Sequence, residues 1–394
     1  MKIFGNTAIA FAGKTNRDLQ RALMLFSILA NPVLVRIGSS ITYFMLKIGL
    51  PIKGLIRKTL YSQFVGGETI DACEPTIKFL SSYNIGTILD YSVEGKGEES
   101  DFESAFNEIM ETIHRAGSDI RIPFSVFKIS GIAPSPLLEK VSSGQNLSEE
   151  ENQKWNKVKK RVNSLCEKAS ALNTPVFIDA EETWIQPAID VLAENMMKKY
   201  NTVNAIVYHT IQLYRTDRLN YLKLLLEQAE KESFICAVKL VRGAYMEKER
   251  NYAAKHHLPD PIQPNKESSD QSFNSSLNLC LKNHKICWIC VGTHNEFSTA
   301  SVLAFMKDNN IEPNHKGVWF AQLLGMSDHI SFNLSALGYN VAKYVPYGPV
   351  KEVFPYLSRR AMENTSVAGQ TGRELALIRE EIRRRHKESN AAKV

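Results

Sequence analysis

The sequence predicts an α/β chain folded as a (βα)8 barrel, and three observations carry that prediction. From residue 85 onward, eight short runs rich in β-branched and apolar residues alternate with longer helical stretches. Each run is apolar along most of its length, as parallel strands buried on both faces must be. The 394 residues also suit one large barrel of roughly 250 residues with decorations.

The runs are TILDYS (87–92), FSVFKIS (124–130), PVFIDAE (175–181), NAIVYHTIQLY (204–214), ICAVKLVRGAY (235–245), CWICVGTHN (287–295), GVWFAQLLGM (317–326) and AKYVPYG (342–348). An open doubly wound sheet is the other way to arrange such units, but no GxGxxG follows the first run. Ahead of them, residues 1–62 form a helical extension. Its apolar stretches ALMLFSILA and ITYFMLKIGL are interrupted by Asn31-Pro32, Arg36 and Lys47, so neither reaches the ~18–20 uncharged residues of a membrane span. They read as amphipathic helices packed on the domain, with a membrane-surface helix as the other reading. The barrel is expected over 63–375 and a basic helix or tail over 376–394.

Three insertions interrupt the βα units. EGKGEESD (94–101) is a charged loop. SSGQNLSEEE (142–151) ends in a helix start capped by Ser148. KHHLPDPIQPNKESSD (255–270) is a proline-rich stretch without apparent structure, readable either as an active-site lid or as a plain excursion. The net charge of +6 is concentrated partly in Arg383, Arg384, Arg385 and Lys387. Such a tail can favour nucleic acid or anionic lipid. The simpler reading is a solvated helix end whose cations suit the dipole, and no nucleic-acid partner is expected. The cysteines, Cys73, Cys166, Cys236, Cys280, Cys287 and Cys290, lack the spacing of a disulfide framework, which points to a reducing compartment. Cys287 and Cys290 form a CxxC inside a strand, where positions three apart face opposite ways, so they read as buried thiols.

Chemistry in such a barrel sits at the C-terminal strand ends. There the runs carry Asp90, Lys128, Asp179 with Glu181 and Glu182, Gln212, Arg242 with Tyr245, His294 with Asn295, and Tyr344. Together they describe a polar pocket around the mouth. The last barrel helix is expected to open at Pro355. Tyr356, Arg359, Arg360 and Glu363 then share one face at spacings of three and four. Two guanidinium forks beside an aromatic ring suit a small carboxylate with an apolar body; a surface salt-bridge face is the alternative. Lys128 adds a third cation. The empty site then needs a counter-charge, and Glu68 in the turn GGET is a candidate. The sequence holds no HExxH, no other compact set among its nine histidines and no GxSxG elbow. The chemistry therefore points to a bound organic cofactor.

The stretches VFIDAEE, VKLVRGAY, GTHN and KYVPYGPVKEVFPYLSRRAMEN resemble the proline dehydrogenase family, in order and on the matching strands, over roughly residues 60–370. The resemblance implies non-covalent FAD in a distorted barrel whose last helix lies over the strand ends. It implies that Arg359, Arg360 and Lys128 bind the carboxylate of L-proline, while Tyr344, Tyr356, Leu323 and Tyr245 enclose the ring. Flavin contacts would come from Asp179, Gln212, Lys239, the backbone of Val241, Arg242, Gly243 and Ala244, and Thr293, His294 and Asn295. Many bacterial members carry arginine at the position of Lys239; lysine keeps the charge but loses the planar fork. Glu68 would pair with Arg359 and gate the site. Asp179 and Lys239 are the candidate catalytic residues, with Lys239 or Arg242 stabilising the reduced ring. Hydride transfer from proline to the flavin would yield Δ1-pyrroline-5-carboxylate, and a membrane quinone would take the electrons.

Two other readings stay open. A hydroxyproline-oxidising relative would carry a smaller residue at position 344, so Tyr344 favours proline. A non-catalytic amino-acid-binding barrel would lack flavin altogether. The chain length leaves no room for a coupled aldehyde dehydrogenase or DNA-binding domain. The N-terminus MKIFGNTAIAFAGKT lacks the arginine-rich character of a transit peptide, which favours a bacterial cytoplasm, with peripheral contact at the inner membrane, over a mitochondrial location.

Overall fold

A computed structural model describes residues 2–48, 53–92, 97–366 and 370–391. Eight parallel strands, β1 (Gly86–Tyr91), β2 (Phe124–Phe127), β3 (Val176–Ile178), β4 (Val207–Gln212), β5 (Cys236–Val241), β6 (Cys287–Gly292), β7 (Val318–Leu323) and β8 (Val341–Tyr347), close into a barrel in sequential order. Each strand coincides with one of the eight runs, β1 and β8 starting one residue earlier, at Gly86 and Val341. Closure is by β1 against β8, with Ile88 opposite Tyr344.

In chain order, the longer helices are α1 (Asn16–Leu29), α2 (Pro32–Lys47), α3 (Glu99–Gly117), α4 (Glu149–Ala171), α5 (Gln186–Tyr200), α6 (Arg218–Glu232), α7 (Met246–Lys255), α8 (Lys266–Lys282), α9 (Glu296–Asp308), α10 (Asp328–Ala336), α11 (Val350–Ser366) and α12 (Gln370–Ala391). Ser148 does cap α4, accepting from the Glu151 amide while Glu151 reaches back. The 255–270 stretch is more ordered than its composition suggests. Residues 266–270 are the first turn of α8, and Ile262 bridges to Arg215 while the Gln263 amide donates to Tyr214 O at 2.7 Å. Residues 94–96 of the charged insertion lie outside the described residues.

Strand alternation builds two cores. Outward residues such as Leu89, Val176, Val238, Val291 and Val345 pack under the helices, and inward ones such as Ile88, Phe124, Phe177, Tyr208 and Ala342 fill the barrel. Cys287 packs outside with Cys236 and Cys280, and Cys290 faces in; all six cysteines are free and buried.

A further core joins the two ends of the chain. Leu19, Ala22, Phe26 and Leu29 recur on one face of α1. They pack with Phe354, Leu357 and Ala361 of α11 and Leu377 and Ile378 of α12. Arg383 and Lys387 are exposed, as a solvated basic end requires, but the expectation is corrected for Arg384 and Arg385. Arg385 donates to Phe11 O at 2.9 Å and Lys14 O at 2.8 Å, and both Arg384 and Arg385 pair with buried Glu381. The cations fasten the last helix to the first. Among the described residues, no helix is long and apolar enough to cross a membrane.

Pro355 does not open its helix. The first turn forms at Pro349, whose carbonyl accepts from Glu352 and Val353, and Pro355 lies inside α11. The interruption falls opposite Lys351, an exposed residue whose carbonyl water can satisfy.

Candidate active site

One period above the apolar plug, the inward strand position turns polar: Asp90, Lys128, Asp179, Thr210, Lys239 and Tyr344 occupy that level. Asp179 is its hub. It ion-pairs with Lys239, accepts from the Tyr344 hydroxyl at 2.6 Å, and accepts from Thr210 at 3.2 Å. Lys239 Nζ also lies 4.8 Å from the Phe177 ring centroid and 4.7 Å from that of Tyr344. Burial pushes the Asp179 carboxyl up, but Lys239, Tyr344 and Lys128 outweigh it and hold the group below the usual carboxylate range. At Asp90 burial wins and raises the carboxyl, despite Lys128 and the Ser92 hydroxyl at 2.6 Å. Burial also lifts the Tyr344 hydroxyl well above its ordinary value, keeping it a donor.

A cavity of about 1200 Å³ opens over the ends of β2, β3 and β5, with Lys128, Glu181, Arg242, Gly243, Ala244, Tyr245 and Arg359 in its wall. Arg359 belongs to α11, which follows β8 and therefore starts beside β1 and β7. To border the β2, β3 and β5 ends, the helix must cross the mouth. The Arg359 guanidinium stands 6.0 Å from the Tyr245 ring centroid. Arg360 is buried, its guanidinium 5.2 Å from the Tyr356 ring centroid. Arg360, Tyr356, Tyr344 and Leu323, expected at the substrate, are not among the residues that line this cavity. Leu323 touches both the barrel plug and the core under α11. The side chain of Glu363 lies outside the described residues. Glu68 ion-pairs with Arg57, a partner the sequence did not suggest. Its turn is fixed by two glycines: a Cβ on Gly66 would fall 2.4 Å from Val345, and one on Gly67 2.6 Å from the Ala72 backbone.

The residues expected around a cofactor divide into two kinds. Gln212 is buried, and its Oε1 has no hydrogen-bond partner among the described residues. Gly243 holds φ +139°, and a Cβ there would meet the Tyr214 ring at 2.3 Å, so bare backbone is presented after Val241. An unanswered acceptor and a side-chain-free stretch of backbone fit a flat ring with N–H groups on its edge. Other side chains are already committed. Arg242 donates to Asp270 at 2.6 Å and Thr293 at 2.7 Å and lies 4.4 Å from the Phe273 ring centroid. Asn295 caps α9 through the Ser298 amide at 3.0 Å. His294 Nδ1 lies 3.0 Å from the Ser327 hydroxyl, and burial, helped by Lys343 and Arg360, lowers its pKa to about 3, so it is neutral.

Sequence reasoning missed Thr210 and Asp270. Thr210 shares the inward parity of Gln212, which is a readable signal; Asp270 lies in the insertion, where spacing says nothing.

The family model for proline dehydrogenase matches residues 73–373. Proline dehydrogenase 1, mitochondrial, of Drosophila melanogaster is 41% identical over 236 residues, covering 57% of this chain and 35% of that protein. The chain thus aligns with about a third of that relative's length. Hydroxyproline dehydrogenase of Xenopus laevis is 29% identical over 416 residues, covering 95% of this chain and 88% of that one. Among solved structures, proline utilization A from Bdellovibrio bacteriovorus, inactivated by N-propargylglycine, superposes with a TM-score of 0.71 at 21% identity. That match covers 91% of this chain and 38% of the other, and it bears on the fold.

Proposed function

The chain belongs to the proline dehydrogenase family, and from that premise we propose that it oxidises L-proline to Δ1-pyrroline-5-carboxylate with bound FAD. The observation that carries the reading is the meeting of Lys128, Tyr245 and Arg359 in one cavity, from three separate segments. A half-buried ammonium and a guanidinium beside an aromatic ring suit a small amino acid.

In this reading Lys128, Arg359 and Arg360 hold the substrate carboxylate, and Tyr344, Tyr356, Leu323 and Tyr245 shape the space for its ring. FAD, when bound, would supply the hydride acceptor. Gln212, Lys239, the backbone from Val241 through Arg242 and Gly243 to Ala244, and the segment of Thr293, His294 and Asn295 would hold it. Asp179 orients Lys239 and Tyr344, and Lys239 supplies the positive charge that favours a reduced, anionic ring. Holding the reacting carbon near its acceptor is a large part of the rate. Glu68, now on Arg57, is the carboxylate proposed to reach Arg359 when the site closes.

A membrane quinone is the proposed electron acceptor. Met24, Ile28, Val33, Leu34, Ile37 and Ile41 expose an apolar face on α1 and α2. Met24, Ile28 and Leu34 also border an apolar cleft of about 1080 Å³ against Phe354 of α11. Such a face favours peripheral contact with a lipid surface.

The 29% identity to a hydroxyproline dehydrogenase supports a second reading, oxidation of the hydroxylated ring. Turnover of the two amino acids with an artificial dye acceptor separates them. Proline is expected to win clearly, and a preference for hydroxyproline would replace this proposal with its sister.

A further inference from the structure

The sequence offers Glu68 as the counter-charge for the cations at the mouth; the structure offers a second carboxylate, Glu181, which the sequence marks only as one of the polar residues at the strand ends. Glu181 follows β3, is buried, and shares the cavity wall with Lys128. Its Oε1 accepts from the Ser130 amide at 2.9 Å, and its Oε2 accepts from the Ser130 hydroxyl. Ser130 stands two residues beyond Lys128 in the short 3-10 turn Ile129–Gly131. Glu181 is itself held from behind. Its amide donates to Gln186 Oε1 at 2.7 Å, Gln186 donates to Asp190 at 2.7 Å, and Asp190 is paired with Arg218 at 2.7 Å. A rigid chain of bonds therefore runs from α6 through α5 to the turn carrying Lys128.

We propose that Glu181 is a positioning residue that fixes the Lys128 turn and serves as the counter-charge a carboxylate ligand must displace. The proposal rests on the reading that Lys128 receives the substrate carboxylate. Burial raises Glu181 to about 7, with Lys128 and Ser130 opposing and Glu182 adding. Asp90, Tyr245, Lys248 and Arg359 are the other charged or titratable groups around this corner, from β1, the β5 loop, α7 and α11. Below neutrality Glu181 is protonated and does not compete with an anion for Lys128. Above it, the ionised carboxylate competes with that anion. A bound carboxylate should in turn make Glu181 take up a proton.

The test uses the flavin-loaded enzyme and cyclopentanecarboxylate, which keeps the ring and the carboxylate but has no amine to titrate or oxidise. Calorimetry in buffers of different ionisation enthalpy reads affinity and proton uptake together. For the unaltered enzyme, affinity should fall several-fold between about pH 6 and about pH 8, with roughly half a proton taken up per ligand near neutrality. Glu181→Gln can keep both Ser130 contacts without the charge. It should abolish the uptake and flatten the pH dependence. Glu181→Ala, which loses the clamp, should weaken binding about tenfold at every pH. A purely structural role would shift affinity but leave proton uptake in place. Uptake unchanged in Glu181→Gln, while Lys128→Met abolishes binding, would overturn the role of Glu181 alone. No saturable binding to the unaltered enzyme would overturn the carboxylate site as well.

Discussion

The Tyr344 hydroxyl on β8 donates to Oδ2 of Asp179, the residue that follows β3, at 2.6 Å, across the mouth of the barrel. Lys239 reaches the same carboxylate from β5. Three strands that are not neighbours are thus joined through one buried acid, directly beneath the proposed reaction site.

Removing the cation from this hub should cost more than removing the hydroxyl. Lys239→Met leaves Asp179 buried without its ion-pair partner, a loss of about 3–5 kcal/mol. Thermal unfolding should show a large drop, and flavin retained after desalting should fall with it. Lys239→Arg should recover most of both. An unchanged melting temperature in Lys239→Met would dismiss the hub.

Tyr344→Phe deletes one hydrogen bond to a charged acceptor, about 1.5–3 kcal/mol. Tyr344→Ser also opens space above Asp179. It should weaken proline use and relatively improve hydroxyproline. Steady-state kinetics on both amino acids reads the ratio, and a constant ratio would remove Tyr344 as the selector.

The adjacent arginines should part company when each is replaced by methionine. Arg359 borders the cavity, so Arg359→Met should raise KM for proline by roughly 100-fold, the loss of a charge-assisted fork, with little change in melting. Arg360 is buried against Tyr356, so Arg360→Met should lower both proline affinity and melting temperature. Kinetics combined with melting curves checks this; near-normal catalytic efficiency in either variant would contradict the carboxylate clamp.

Much of this was legible in the sequence because β-strand parity is strict. Apolar runs give the strands, and a polar residue at the inward end of six of them, such as Asp90, Asp179 or Tyr344, gives the level at which the plug becomes a site. What stayed hidden depends on distance in the chain. Glu68 finds Arg57, Arg242 finds Asp270, and Glu181 finds Ser130, pairings that no local period encodes. Thr293 and Asn295 differ, because their side chains accept from the nearby Asn295 and Ser298 amides and so cap the start of α9 locally. The last helix misled for a local reason: Pro355 looks like a helix opener, but Pro349 already fills that role.

Acid should loosen the contact between the two chain ends first. Burial opposes ionisation of Glu381, yet bonds from Arg384 and Arg385 hold its pKa at about 2, and His329 and Arg373 likewise hold Glu296 at about 2. For a depressed carboxylate, the stabilisation is complete above the unfolded value near ~4.3 and disappears as pH falls through the folded one. The contribution of Glu381 to melting temperature should therefore be level from neutrality to about pH 5 and decline below it. Glu381→Gln should start lower and decline less; an identical profile would remove Glu381 from the fastening of α12.

The central claim is that the barrel mouth brings L-proline and a flavin together for hydride transfer. It is tested most directly by the absorbance spectrum of the purified protein before and after anaerobic addition of L-proline. A flavin band near ~450 nm that bleaches on mixing is expected, because colour and chemistry belong to the same cofactor. A protein that carries no such band after reconstitution with FAD, or whose band persists in saturating proline, would contradict it.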